Sequence, residues 1–112
     1  MKHTFENLFA SAGSFEHYQG YRYLYQSVLL VMQDPERLCH IGKEVYQHVA
    51  EENKTSLSNV HKDIRTLLSS FWNHGGSKSF VEWTGCVRWN YERPYPKEFI
   101  AILAKLLGER KY

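Results

Sequence analysis

The chain has 112 residues, of which 43% are hydrophobic and 15% are aromatic. This length fits one compact domain, and this composition excludes an intrinsically disordered chain, which would have few aromatic residues and a high net charge. Because no apolar run is long enough to span a membrane and no signal segment opens the sequence, we expect a single cytoplasmic domain over residues 1–112.

Apolar residues recur at helical spacing through the first half of the chain. They predict a first helix from Thr4 to Ala12, with Gly13 placed to stop it, and a second from Tyr21 to Met32. Asp34-Pro35 ends the second helix and begins the next, as an N-cap followed by a first-turn proline. That apolar face continues to Val49, with a break or bend expected at Gly42.

The clearest helical periodicity of apolar residues lies in the second half, between Ser56 and His74. Gly75-Gly76, directly after it, ends the pattern. A short helix is predicted from Ser77 to Thr84, capped by Gly85. The stretch from Cys86 to Tyr95 is irregular, with a weak strand candidate at Val87–Tyr91. Pro96 opens a last helix with five residues directed inward: Phe99, Ile100, Leu103, Leu106 and Leu107. These elements predict an all-α domain.

A helix-turn-helix is predicted between Val45 and Trp72, or about 43–74 with its flanks. Ala50 is the small residue that the first helix needs where the second crosses it. Ten residues later Val60 fills the space between the helices, and Ile64 follows one turn on. The outer face of the second helix then carries the groups that contact DNA bases and phosphates in such motifs. The predicted DNA-binding residues are Lys54, Thr55, Ser56, Ser58, Asn59, His61, Lys62, Arg65 and Thr66, and Ser69 also faces outward.

The polar helix pair and the three tryptophans (Trp72, Trp83 and Trp89) both have simpler explanations. Helix pairs with polar outer faces also occur in helical proteins that bind nothing there, and Thr55, Ser56 or Ser58 can serve only as an N-cap. The three tryptophans can form a stacking platform for single strands, but core positions are the more usual role of tryptophan in a small domain.

No motif for catalysis, a metal or a cofactor is found in the sequence. The six histidines show no ligand spacing, and Cys39 and Cys86 are far apart, so we expect two buried or half-buried free thiols. No phosphate loop or nucleophile motif is present, and adjacent Glu51 and Glu52 would point in different directions on a helix. We therefore expect no enzyme activity, no cofactor and no small-molecule substrate.

Charge is distributed unevenly along the chain. Residues 1–53 carry a formal charge of −3 and residues 54–112 carry +5, although the whole chain carries only +2. A basic second half favours a polyanionic partner, and double-stranded DNA fits the predicted motif. No membrane interaction is expected.

A more specific signal comes from residues spread over nearly the whole chain. They are Gly13, His17 to Tyr21, Tyr23, Leu24, Asp34, Leu38, Ile41, Lys43, Tyr46, Ala50, Thr55, Ser58, Val60, Ile64, Arg65, Trp72, Gly75, Gly85, Pro94 and Glu98 to Ala101. In identity and spacing they resemble the C-terminal effector domain of the sporulation-initiation response regulator, apart from one residue in the loop before Pro94. The resemblance implies a compact six-helix domain that binds duplex DNA in the major groove, as tandem copies on adjacent sites.

The sequence departs from this family at informative positions. The resemblance places a base-reading Arg and Glu where this chain has Asn59 and His61, whereas Lys62 keeps the positive charge of a neighbouring Arg and Arg65 is retained. Asn53 replaces a large apolar residue at the end of the first helix. The family's phosphoacceptor receiver domain is also missing from these residues.

Two functions follow from these observations. The first is a DNA-binding transcriptional regulator or effector domain, related to sporulation, that pairs as a homodimer on tandem DNA sites. The second is a protein-interaction module that kept the fold, lost specific DNA binding and acts as an antagonist or partner of a full-length regulator.

Overall fold

The computed structural model describes the backbone of residues 2–10 and 13–109 and the side chains of residues 5–10 and 13–108. All the secondary-structure elements of the described backbone are helices, and none of them is a β-strand. Six α-helices follow one another: α1 (Lys2–Ala10), α2 (Gln19–Gln33), α3 (Gln47–Glu52), α4 (Leu57–Phe71), α5 (Ser77–Thr84) and α6 (Pro96–Glu109). The all-α, six-helix prediction is therefore confirmed, while the predicted end of α1 at Ala12 lies outside the described residues.

Short segments of tighter or wider helix join the α-helices. A 3-10 helix (Pro35–His40) begins where the sequence placed an N-cap, because the Asp34 carboxylate accepts a hydrogen bond from the Glu36 backbone N–H at 3.1 Å. The bend expected at Gly42 takes the form of a π-helical turn (Gly42–Tyr46) that leads into α3. Between α4 and α5 the chain kinks, because the backbone angles of His74 (φ −108°, ψ 30°) and Gly75 (φ 95°, ψ 4°) are not helical. Helix α5 ends at Gly85 in the left-handed conformation.

Helix α2 is at the centre of the domain, because α4 packs against one side of it and α6 against another. The crossing of α2 and α4 is close at Gly20: a Cβ atom there would lie 2.1 Å from the Asp63 backbone carbonyl oxygen. Only glycine permits this separation. The backbone of α2 thus sets the position of the α4 backbone directly.

The core is one continuous cluster to which every α-helix contributes. At its centre are rings from four elements: Phe9 and Phe71 lie 4.9 Å apart between centroids, and Phe80 and Phe99 stack at 4.7 Å. Trp89 is buried, and Trp72 and Trp83 are half-buried against the same cluster. The tryptophans therefore pack in or against the hydrophobic core, which is the more usual of the two roles considered for them.

Three local predictions are wrong. The strand candidate Val87–Tyr91 is a 3-10 helix (Val87–Asn90), which Trp89 anchors in the core. Cys39 is exposed, because it lies on the outer side of the first 3-10 helix, whereas Cys86 is half-buried as expected. Leu106 is half-buried, since α6 turns only part of its apolar face toward α2.

Candidate nucleic-acid interface

Helices α3 and α4 pack against each other across a tight turn at residues 53–56, in the predicted segment. Ala50, Val60 and Ile64 are fully buried, as the helix-turn-helix pattern requires. Asn53 is half-buried and its side-chain Nδ2 donates to Gln26 Oε1 at 2.6 Å and to the Val49 carbonyl at 2.7 Å. A hydrogen bond from Asn53 to α2 thus replaces the apolar contact that the family resemblance implies at this position.

The turn between α3 and α4 has a defined hydrogen-bond pattern. The Thr55 backbone N–H donates to the Ala50 carbonyl at 2.9 Å, and the Lys54 N–H donates to the Glu51 carbonyl at 3.3 Å. This pair of bonds is a Schellman motif, in which the residue after the C-cap adopts a left-handed conformation. That residue is Lys54, with φ of 55°, the one non-glycine residue with positive φ in the described backbone. A lysine held there costs about 1 kcal/mol relative to glycine.

Helix α4 is capped by side chains from the same turn. The Ser56 hydroxyl oxygen accepts a hydrogen bond from the Asn59 backbone N–H at 3.1 Å, so Ser56 is the N-cap. The Asn59 side-chain Nδ2 donates in turn to Thr55 Oγ1 at 3.1 Å. Thr55 is half-buried, while Lys54 and Ser56 are exposed. The turn and the first turn of α4 are therefore one hydrogen-bonded unit.

The outer face of α4 is polar and basic. Ser58, Asn59, Lys62, Arg65 and Thr66 are all exposed, as predicted. Within the described side chains, the ion pairs all involve Arg88, so neither Lys62 nor Arg65 has a carboxylate partner. The charges on this face are thus left uncompensated by the protein.

His61 is less exposed than its neighbours Lys62, Arg65 and Thr66 on this face. Its ring is half-buried and stacks on Tyr46, with centroids 5.4 Å apart and an interplanar angle of 26°. Tyr46 is buried, and this burial raises the pKa of its phenol to about 12. The uncharged Tyr46 ring, at the end of the turn before α3, therefore restricts the orientation of the His61 imidazole on α4.

A basic side chain that the sequence analysis did not predict lies beside this face. Arg93, in the loop before α6, donates from Nη1 to Ser69 Oγ at 3.2 Å. Ser69 is one turn beyond Arg65 on α4 and is half-buried. The sequence signal was only the positive charge of the second half, since nothing local places the loop against α4.

Two other kinds of site were considered for the described residues, a metal site and a membrane-spanning helix. No group of three or more His, Cys, Asp or Glu side chains among them is arranged to hold a metal ion. No described helix is both long enough and apolar enough to cross a membrane.

Comparison with known families agrees with this geometry. The family model described as the C-terminal domain of sporulation initiation factor Spo0A matches residues 5–107. The chain belongs to this family. Its members are DNA-binding, all-α effector domains of sporulation transcription regulators, and the family is not an enzymatic one. The match spans both the helix pair and the loop that carries Arg93.

Proposed function

We propose that this chain is a DNA-binding transcriptional regulator, or the effector domain of one, that inserts α4 into the major groove of duplex DNA. The observation that carries the proposal is the exposed, uncompensated basic face of α4 in a member of a DNA-binding family. A helix of this kind fits the major groove, which is about 12 Å wide. Such a function places the chain in the cytoplasm with the bacterial chromosome.

The geometry supports different roles for different parts of the face. Lys54 and Ser56 flank the N-terminus of α4, where free backbone N–H groups favour phosphate oxygens. Lys62 and Arg65 are four and seven residues beyond Ser58 and share its side of the helix. We assign them to phosphates that hold α4 in register, and we assign base contacts to the first turn of the helix.

Base reading falls to Asn59 and His61 in this proposal. The Asn59 amide offers both a donor and an acceptor, a pair that matches adenine, and an imidazole can contact guanine N7. Because Asn59 binds Thr55 and His61 stacks on Tyr46, both side chains are held in place before DNA arrives. Binding as a homodimer on tandem sites would double this short recognition surface.

The alternative function draws on the same two contacts. If Asn59 and His61 are held too tightly to reach bases, the chain is a protein-interaction module that acts as a partner or antagonist of a full-length regulator. The basic face of α4 favours DNA binding, because two cations without carboxylate partners attract a polyanion.

Removal of either cation tests the proposal. We expect Lys62→Ala and Arg65→Ala to weaken binding to every duplex, because each loses a phosphate contact. In anisotropy titrations over a salt series, each should reduce the slope of log K against log salt by about one unit. Lys78→Ala, which removes an exposed lysine of α5, is the matched control and should leave the slope unchanged.

The opposite results are equally informative. An unmodified chain that shows no salt-dependent binding would favour the protein-interaction alternative. A variant that changes the preferred sequence while it keeps the salt slope would show that its cation contacts bases.

A further inference from the structure

An open cleft of about 990 Å³ runs along the outer side of α4. One wall is the face of α4 from His61 to Ser69, and the other is the loop Glu92–Pro96. Among the described residues, the cations that line the cleft are Lys62, Arg65 and Arg93, and the one lining carboxylate is Glu92. The basic surface therefore extends beyond α4 to a second element of the fold.

The charge of Arg93 is available to a ligand. Arg93 is exposed, and within the described side chains it has a hydrogen bond to the Ser69 hydroxyl but no carboxylate partner. Its neighbour Glu92 is engaged elsewhere, since Arg88 pairs with that carboxylate. A guanidinium has five donors, and the bond to Ser69 uses one of them.

The loop that carries Arg93 is braced from behind. Arg88 pairs with Glu92 and its Nη2 lies 3.6 Å from Glu98 Oε2, which links the loop to the start of α6. Glu98 Oε1 also accepts a hydrogen bond from the Tyr95 backbone N–H at 3.2 Å. Pro94 is buried and Pro96 begins α6, so the backbone between them has little freedom. The backbone of the loop that carries Arg93 is thus held in place.

We propose that Arg93 is a phosphate-binding residue of the DNA interface, which contacts the sugar-phosphate backbone beside the groove that α4 enters. The inference rests on the proposed function, because it requires α4 to lie in the groove. Ser69 is eleven residues beyond Ser58, or about 16 Å along the helix, so Arg93 stands well away from the base-reading end. Because of that separation, and because a guanidinium fork matches a phosphate, we expect the Arg93 contact to be independent of the DNA sequence.

Three variants test this role in anisotropy titrations against a random duplex over a salt series. Arg93→Ala should weaken binding to all duplexes and reduce the salt slope by about 0.9 unit, the value for one lost phosphate contact. Arg93→Lys should keep the slope but bind more weakly than the unmodified chain, because it keeps the charge and loses the fork. Lys105→Ala removes an exposed charge from the groove between α2 and α6 and is the matched control.

The outcomes separate this inference from the proposed function. If the unmodified chain binds with a steep salt slope and Arg93→Ala behaves as Lys105→Ala does, Arg93 is not a contact while DNA binding by α4 stands. A change of sequence preference in Arg93→Ala would also overturn the phosphate role. No salt-dependent binding by the unmodified chain would overturn both. Because Arg93 is exposed, the thermal unfolding of its variants should match that of the unmodified chain.

Discussion

Val60→Asp is expected to unfold the domain. Val60 is fully buried between α4 and the rest of the core, and the described core contains no buried cation that could pair with a new carboxylate. An unpaired charge in such a position costs several kcal/mol, which is comparable with the total stability of about 5–15 kcal/mol of a small domain. Circular dichroism during urea titration should show loss of cooperative unfolding and of most helical signal.

Ser58→Asp is the matched control for this variant. It adds the same carboxylate to the same helix two residues earlier, at an exposed position in the first turn. An acidic residue there interacts favourably with the helix dipole, so this variant should be as stable as the unmodified chain. A cooperatively folded Val60→Asp protein would show that the α3–α4 pair is misplaced.

The double variant Asn59→Arg with His61→Glu is expected to change which DNA sequence is preferred. The family resemblance places Arg and Glu at these positions, where Arg reads guanine and Glu accepts from cytosine. Each good base contact contributes about 1–3 kcal/mol of discrimination, so two restored contacts should move preference toward the family's usual site by about two orders of magnitude or more. The unmodified chain should not prefer that site.

Selection from a pool of random duplexes measures this change for both proteins. The substitutions add one positive and one negative charge, so net charge and non-specific affinity should stay the same. Any difference between the selected sequences is then due to base contacts. Recovery of the family's site by the unmodified chain would show that Asn59 and His61 do not set specificity.

Much of the fold follows from local sequence. The α5 bounds were predicted correctly, because Gly75 and Gly85 adopt positive φ, a backbone conformation that other residues resist. The Asp34-Pro35 junction and the buried stripe of α4 were also predictable, since an N-cap and a 3.6-residue period are properties of neighbouring residues.

Other features depend on contacts between distant residues. The alternation at Val87–Tyr91 favours a strand, yet burial of Trp89 selects a 3-10 helix. Lys54 adopts a left-handed conformation because the Schellman motif requires it, although its residue type predicts otherwise. In the candidate interface, the exposed face of α4 was predictable from the 3.6-residue spacing of its apolar residues alone. The stacking of His61 and the approach of Arg93 depend on where Tyr46 and the loop lie in three dimensions.

The most direct test of DNA binding by α4 is to map the amide resonances of the isotope-labelled chain as a duplex is added. We predict that shifts concentrate in residues 54–69, on the turn and the outer face of α4, and at Arg93. The groove between α2 and α6, which includes Met32 and Lys105, should be unaffected. Shifts confined to that groove, or none at all at low salt in a folded sample, would contradict the proposal that α4 binds DNA.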